Sequence, residues 1–181
     1  MEMALSWNPP SNPLYFPLRC LYDIGMMSGS EMPLKAIGRV HNTVKSTPKP
    51  EYDWSGIISR ISIAPELAAG LEGLERYSHI IVIYWAHRAT APSKVALRVR
   101  YKGDRSRPMV GVFASRSPYR PNPLCLRVAR LVEIRDGLLV VEGLDALDGT
   151  PVLDIKPFIP RIDSPAGAVV PDWGNPIPPQ G

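Results

Sequence analysis

Nowhere does the chain hold the roughly 18 consecutive apolar residues that a helix needs to cross a bilayer. The longest apolar run, residues 80–86, is strand-sized and stops at His87. The N-terminus has no basic stretch leading into an apolar core and a small-residue cleavage site, so no secretory leader is read and a cytoplasmic, non-membrane protein is expected. Cysteine is nearly absent. Cys20 and Cys125 stand far apart with no C-x-x-C pair, which argues against a disulfide framework or a zinc site and leaves no metal expected. Cys125 reads as a small buried apolar residue. G-x-G is also missing, which excludes the glycine-rich first turn of a Rossmann-type nucleotide site. A nucleotide-like ligand must therefore bind by another route.

Proline, by contrast, is plentiful: 21 residues against 14 glycines in a chain of 181, crowded at both ends and in residues 107–123. Long helices through those regions are ruled out, because proline lacks the backbone donor and clashes with the preceding turn. Residues 1–31 read as an N-terminal extension, residues 32–165 as one β-barrel domain and residues 166–181 as a proline-rich tail. The net charge of +4 fits a polyanionic partner without demanding one.

Between the ends, strand signals dominate. In residues 57–63, Ile61 and Ile63 fall on one face and Arg60 and Ser62 on the other. Residues 79–87, HIIVIYWAH, are apolar on both faces, as expected of a strand inside a closed structure. Further along, Val95, Leu97, Val99 and Tyr101 alternate with Lys94, Arg98, Arg100 and Lys102, which makes one apolar and one basic face. Residues 34–44, 109–114, 126–134, 138–144 and 152–155 complete the set, bounded by turn dipeptides such as Asp136-Gly137 and Asp148-Gly149. Residues 65–74 suggest one short helix limited by Gly70 and Gly73. This is no βαβ rhythm. A mainly β fold is expected, a barrel of antiparallel or mixed strands with one or two short helices.

Three stretches carry candidate chemistry. Residues 113–123, FASRSPYRPNP, hold Pro118, Pro121 and Pro123, which stiffen a polar loop and present Arg116, Ser117, Arg120 and Asn122 at fixed angles. By composition such a loop reads first as a solvated surface connection and second as a binding loop. In residues 144–157, Asp148-Gly149 is a turn, with Asp145 capping or solvating it. Asp154 and Lys156 share a strand face, paired with each other or aimed at a ligand. In residues 73–87, His79 and His87 lie about 26 Å apart along a strand, too far to ligate one metal. His79 reads as structural, and His87, followed by Arg88, as a site candidate.

These three blocks, GLERYSHIIVIYWAH, GVFASRSPYRPNPLCL and DGTPVLDIKP, resemble in order and spacing those of the TsaA-like (TrmO, YaeB-like) family of S-adenosylmethionine-dependent tRNA methyltransferases. The resemblance covers about residues 34–162. It implies a single-sheeted β-barrel, a homodimer and S-adenosylmethionine bound near the subunit interface. The implied reaction is methylation of N6 of threonylcarbamoyl-adenosine beside the anticodon of threonine tRNA. Residue by residue, it implies cofactor contacts at Pro48, Lys49, Pro50, His87, Arg88, Arg116, Leu126, Asp148, Gly149, Thr150 and Pro151. At residues 47–51 the chain reads TPKPE rather than the family's usual proline-arginine-glutamine, and Cys125 replaces a glycine. Arg120, Asn122, Lys94, Arg98, Arg100 and Lys102 are candidates to meet RNA phosphates or a substrate carboxylate. Tyr119, Asp154 and His87 are candidates to take the N6 proton. Competing readings are a methyltransferase for a small molecule or another RNA, and a non-catalytic RNA-binding barrel.

Overall fold

A computed structural model describes residues 33–48, 52–89 and 97–174. Every element below belongs to the unit Leu34–Gly181. Six strands close a barrel in the order β1, β2, β7, β6, β3, β8, where β1 is Gly38–His41, β2 Ile58–Ile63, β3 His79–Trp85, β6 Leu124–Arg135, β7 Leu138–Glu142 and β8 Pro151–Pro157. Strands β4 (Arg98–Arg100) and β5 (Met109–Gly111) pair only with each other. The expected barrel is present, and every pairing in it is antiparallel.

Alternation explains the core. Ile61 and Ile63 of β2, Ile80, Val82 and Tyr84 of β3, and Leu139 and Val141 of β7 point inward with Val40 and Val152. Fully burying each aliphatic side chain contributes about 1.5–3 kcal/mol. The apolar character of β3 on both faces has a separate cause. Ile81, Ile83 and Trp85 face outward and pair in register with Val128, Leu126 and Leu124 of β6, so an apolar ladder runs up the barrel's outer wall. Its β6 half remains exposed.

The connections follow local chemistry. Asp136 and Gly137 both adopt positive φ (50° and 74°), the geometry that a two-residue hairpin turn requires between β6 and β7. The expected short helix is a 3-10 helix over Pro65–Leu71, and Gly73, at φ 84°, separates it from a second turn at Leu74–Arg76. An α-helical turn, Pro160–Asp163, follows β8. Two register shifts, between Leu131 and Glu133 in β6 and between Ile83 and Tyr84 in β3, strengthen the twist that lets six short strands close.

His79, at the entry of β3, hydrogen-bonds the Ser78 hydroxyl at 3.0 Å and meets the Phe158 ring edge-on. His87 lies beyond the strand's other end, so the two histidines occupy opposite ends of β3.

Candidate functional site

The strand exits at the His87 end, the β4–β5 hairpin and the proline-rich loop together enclose a cleft of about 1460 Å³. That exceeds the roughly 300–1000 Å³ of an ordinary small-molecule pocket and leaves room for more than one ligand group.

The loop from Val112 to Asn122 forms one wall. Its prolines are reinforced by serines: Ser115 Oγ donates to the Val112 carbonyl at 2.8 Å, and the amides of Ser117 and Tyr119 donate to the hydroxyls of Ser115 and Ser117. Local side-chain turns of this kind substitute for a sheet ladder. A short 3-10 turn, Val112–Ala114, anchors the loop through buried Val112. The expected stiffness is therefore built twice, by ring closure and by hydroxyl acceptance.

Electrostatically the cleft is lopsided. Arg88, Arg98, Arg100, Arg116, Arg120 and Arg127 all line it. Each donates to a backbone carbonyl: Arg88 to Lys45, Arg98 to Met109 (3.3 Å), Arg100 to Arg107 (2.9 Å), Arg116 to Leu126 (3.1 Å), Arg120 to Ser115 (3.4 Å) and Arg127 to Gly143 (3.1 Å). A carbonyl fixes a guanidinium in space without neutralising it. Among the described residues, the only carboxylate lining the cleft is Asp145.

Two side-chain pairs, His87 with Thr150 and Tyr84 with Asp145, complete the wall. The Thr150 hydroxyl, itself buried, lies 3.3 Å from His87 Nδ1. Partial burial and the nearby cations Arg88 and Arg39 hold the imidazole below its ordinary pKa, so His87 is neutral at pH 7. Tyr84, at the end of β3, donates its hydroxyl to Asp145 Oδ1 at 2.8 Å. Burial, followed by the charge of that carboxylate, pushes its phenol far above the usual range. Cys125, opposite Tyr84 on β6, has its thiol raised chiefly by burial and is no thiolate nucleophile.

Of the residues expected at the site, Pro48, His87, Arg88, Arg116, Leu126 and Thr150 line this cleft, as do Tyr119, Arg120, Asn122, Arg98 and Arg100. Asp148, Gly149 and Pro151 are not part of its lining. The Asp148 carboxylate accepts from the Asn42 amide (3.0 Å) and from Lys45 (2.6 Å), and the Gly149 carbonyl accepts from Arg39 (2.7 Å). Pro151 pairs with Arg39 in the sheet. Their backbone and charges hold the loop whose Lys45 carbonyl in turn anchors Arg88. Asp154 is not brought to the cleft. It pairs with Lys156 at 2.8 Å and borders a separate cavity of about 540 Å³ beside Leu71 and Tyr77, which removes it from the proton acceptors of this site. Lys49, Pro50 and Lys94, with the side chain of Lys102, lie outside the described residues.

Sequence reasoning missed Tyr84, Arg127, Trp54, Phe113 and the cleft position of Asp145. Tyr84 carried a signal, a phenol in an otherwise aliphatic inward set, which requires a polar partner at its tip. It also missed Asn42, whose amide group joins β1 to Ser59 (3.0 Å) and to the Ala146 carbonyl (2.8 Å). Among the described residues no cluster of His, Cys, Asp and Glu fits a metal ion, and no helix is long and apolar enough to cross a membrane.

The model of the tRNA-methyltransferase O N-terminal domain family matches residues 37–164. A probable S-adenosyl-L-methionine-binding protein from Methanothermobacter thermautotrophicus is 42% identical over 140 residues, 76% of this chain and 98% of that one. An S-adenosyl-L-methionine-binding protein from Archaeoglobus fulgidus is 44% identical over 138 residues, 73% of this chain and 93% of its own. The crystal structure of TrmO from Pseudomonas aeruginosa is similar at a TM-score of 0.62 and 29% identity, covering 77% of this chain and 62% of that one. The chain thus spans less than two thirds of that crystallised protein.

Proposed function

The chain belongs to the family of the tRNA-methyltransferase O N-terminal domain, and from that premise we propose that it is a cytoplasmic, homodimeric tRNA methyltransferase that uses S-adenosylmethionine to methylate N6 of threonylcarbamoyl-adenosine beside the anticodon of threonine tRNA. The observation that carries this reading is the set of six guanidinium groups fixed on backbone carbonyls around one cleft. Apart from Arg127, which also faces Asp145 at 4.0 Å, their charge is left for carboxylate and phosphate ligands, and both the cofactor's amino-acid end and an RNA backbone supply them. The residues also fit the remainder of the cofactor. Trp54, Phe113 and Tyr119 offer flat faces for a base, and Asn122 and Ser117 offer polar edges.

When bound, S-adenosylmethionine supplies an electrophilic methyl group on a positively charged sulfur. The chain's own task is alignment. Arg116, tied to the Leu126 carbonyl, holds the cofactor end of the cleft, while Arg120 and the Arg98–Arg100 strand face the RNA. The barrel wall and the stiff loop exclude water from the line of displacement. As the nitrogen–carbon bond forms, the N6 proton leaves. With Nδ1 carrying its hydrogen toward Thr150, the neutral His87 accepts that proton at Nε2.

Calorimetry is the direct test. Arg116→Ala is expected to weaken S-adenosylmethionine binding by about 10- to 100-fold, the worth of a charge-assisted hydrogen bond, and unchanged affinity would take the loop out of the site. For the acceptor, nucleosides of tRNA from a strain lacking this gene are compared with the parent. Loss of the methylated threonylcarbamoyl-adenosine is the expected result, and its persistence removes that acceptor.

A further inference from the structure

Six cations around one cleft create a difficulty for a ligand that is itself partly cationic. The cofactor proposed above carries a positive sulfonium and an α-ammonium group, and both are repelled by the guanidinium groups that attract its carboxylate. A cleft built only of arginine would favour the spent thioether over the sulfonium compound, the wrong order for an enzyme that must load the latter.

Asp145 answers this. It lies in the turn after β7, next to Leu144 and Ala146, which are fully buried and fix the backbone on either side. Its side chain is about one third exposed. Oδ1 accepts the Tyr84 hydroxyl at 2.8 Å, and Oδ2 lies 4.0 Å from Arg127, beyond hydrogen-bond length. Arg127 thus forms only a long ion pair with Asp145 through Nη1, while its Nε donates to the Gly143 carbonyl. One carboxylate oxygen is therefore held by a neutral phenol, which orients the group without cancelling its charge. The other oxygen keeps its capacity to accept. Tyr84 is a fixed donor because burial keeps its phenol protonated. Sequence alone made Asp145 a turn residue, but Asp148 holds the turn, through Asn42 and Lys45.

We propose that Asp145, oriented by Tyr84, is the subsite for the positively charged part of the ligand and sets the preference of this cleft for the sulfonium cofactor, an inference that rests on the cofactor reading above. The shared chemistry is a cation meeting a carboxylate. Its source is either the sulfonium or the α-ammonium, and three ligands separate them. S-adenosylmethionine carries both cations, S-adenosylhomocysteine only the ammonium, and methylthioadenosine neither.

The experiment is titration calorimetry of the full chain and of Asp145→Asn with each ligand. The isosteric amide keeps an oxygen for the Tyr84 hydroxyl and removes only the charge. Asp145→Asn is expected to weaken S-adenosylmethionine by about 10- to 100-fold and to leave methylthioadenosine at wild-type affinity, which also shows that the cleft is intact. An unchanged S-adenosylhomocysteine affinity places the sulfonium at Asp145, and an equal loss places the ammonium there. Wild-type affinity of the variant for S-adenosylmethionine overturns the proposal, as does an equal loss of all three ligands. If the wild-type chain itself binds neither S-adenosylmethionine nor S-adenosylhomocysteine, the cofactor reading falls first and takes this one with it.

Discussion

His87 shows how one side chain serves stability and chemistry with the same protonation state. Because burial and then Arg88 and Arg39 lower its pKa, the folded chain binds a proton there less readily than the unfolded chain does. Folding stability attributable to this group is therefore complete well above pH 6.5 and declines as pH falls through the unfolded value toward the depressed native one. Thermal unfolding at pH 7.5 and 5.5 is expected to show a larger drop for the native chain than for His87→Gln, and an identical drop would mean that His87 does not titrate against folding. His87 and Arg116 were legible in the sequence because a polar residue closing an apolar strand and an arginine in a proline-locked loop are locally anomalous. Asp148 and Asp154 were legible only as charges. Which of them meets a ligand depends on Asn42, Lys45 and Lys156, and local pattern carries no information about the first two partners.

Strands and turns were more legible than partners, since alternation and turn dipeptides are local. β2, β3, β6 and β7 fall where their patterns place them, and the Asp136-Gly137 turn has its expected geometry. Within the basic-and-apolar alternation from Lys94 to Lys102, the described residues form a strand at Arg98–Arg100, paired with β5 rather than with the barrel, and a 3-10 turn at Tyr101–Gly103. Its membership of a separate hairpin is a tertiary outcome that periodicity cannot reveal. The opposite holds at Gly38. A β-carbon there would overlap the Ser62 carbonyl oxygen, a backbone atom fixed by the β1–β2 ladder. Gly38→Ala is expected to destabilise the fold by about 1–3 kcal/mol, the ordinary cost of overpacking, measured as a lowered urea midpoint with an unchanged slope. An unaltered midpoint would show that β1 shifts without cost.

At the scale of the whole molecule, the β6 half of the outer ladder, Val128, Leu126 and Leu124, supports the proposed homodimer, because these residues leave apolar area on the barrel wall beside the cleft. Val128→Glu is expected to shift sedimentation from dimer to monomer while leaving far-ultraviolet circular dichroism intact, and a variant that stays dimeric would put the interface elsewhere. The C-terminal segment is held as well. Trp173 stacks edge-on against Tyr101 at 5.9 Å and accepts from Arg107 through its carbonyl, so it rests on the turn that joins the two strands of the hairpin.

Barrel closure also sets a clock. Among the described residues β8 is the last strand, and it lies between β3 and β1, the first. The edge of β1 that β2 leaves open, near position 38, must wait for residues near position 152. Such distant pairings place the molecule among slow folders, on the millisecond-to-second scale. During synthesis, at about 5–20 residues per second, the earlier strands pass several seconds with open edges. Since Thr150 and Asp145 arrive with that final segment, the ligand cleft comes into being only when the last seam is sewn.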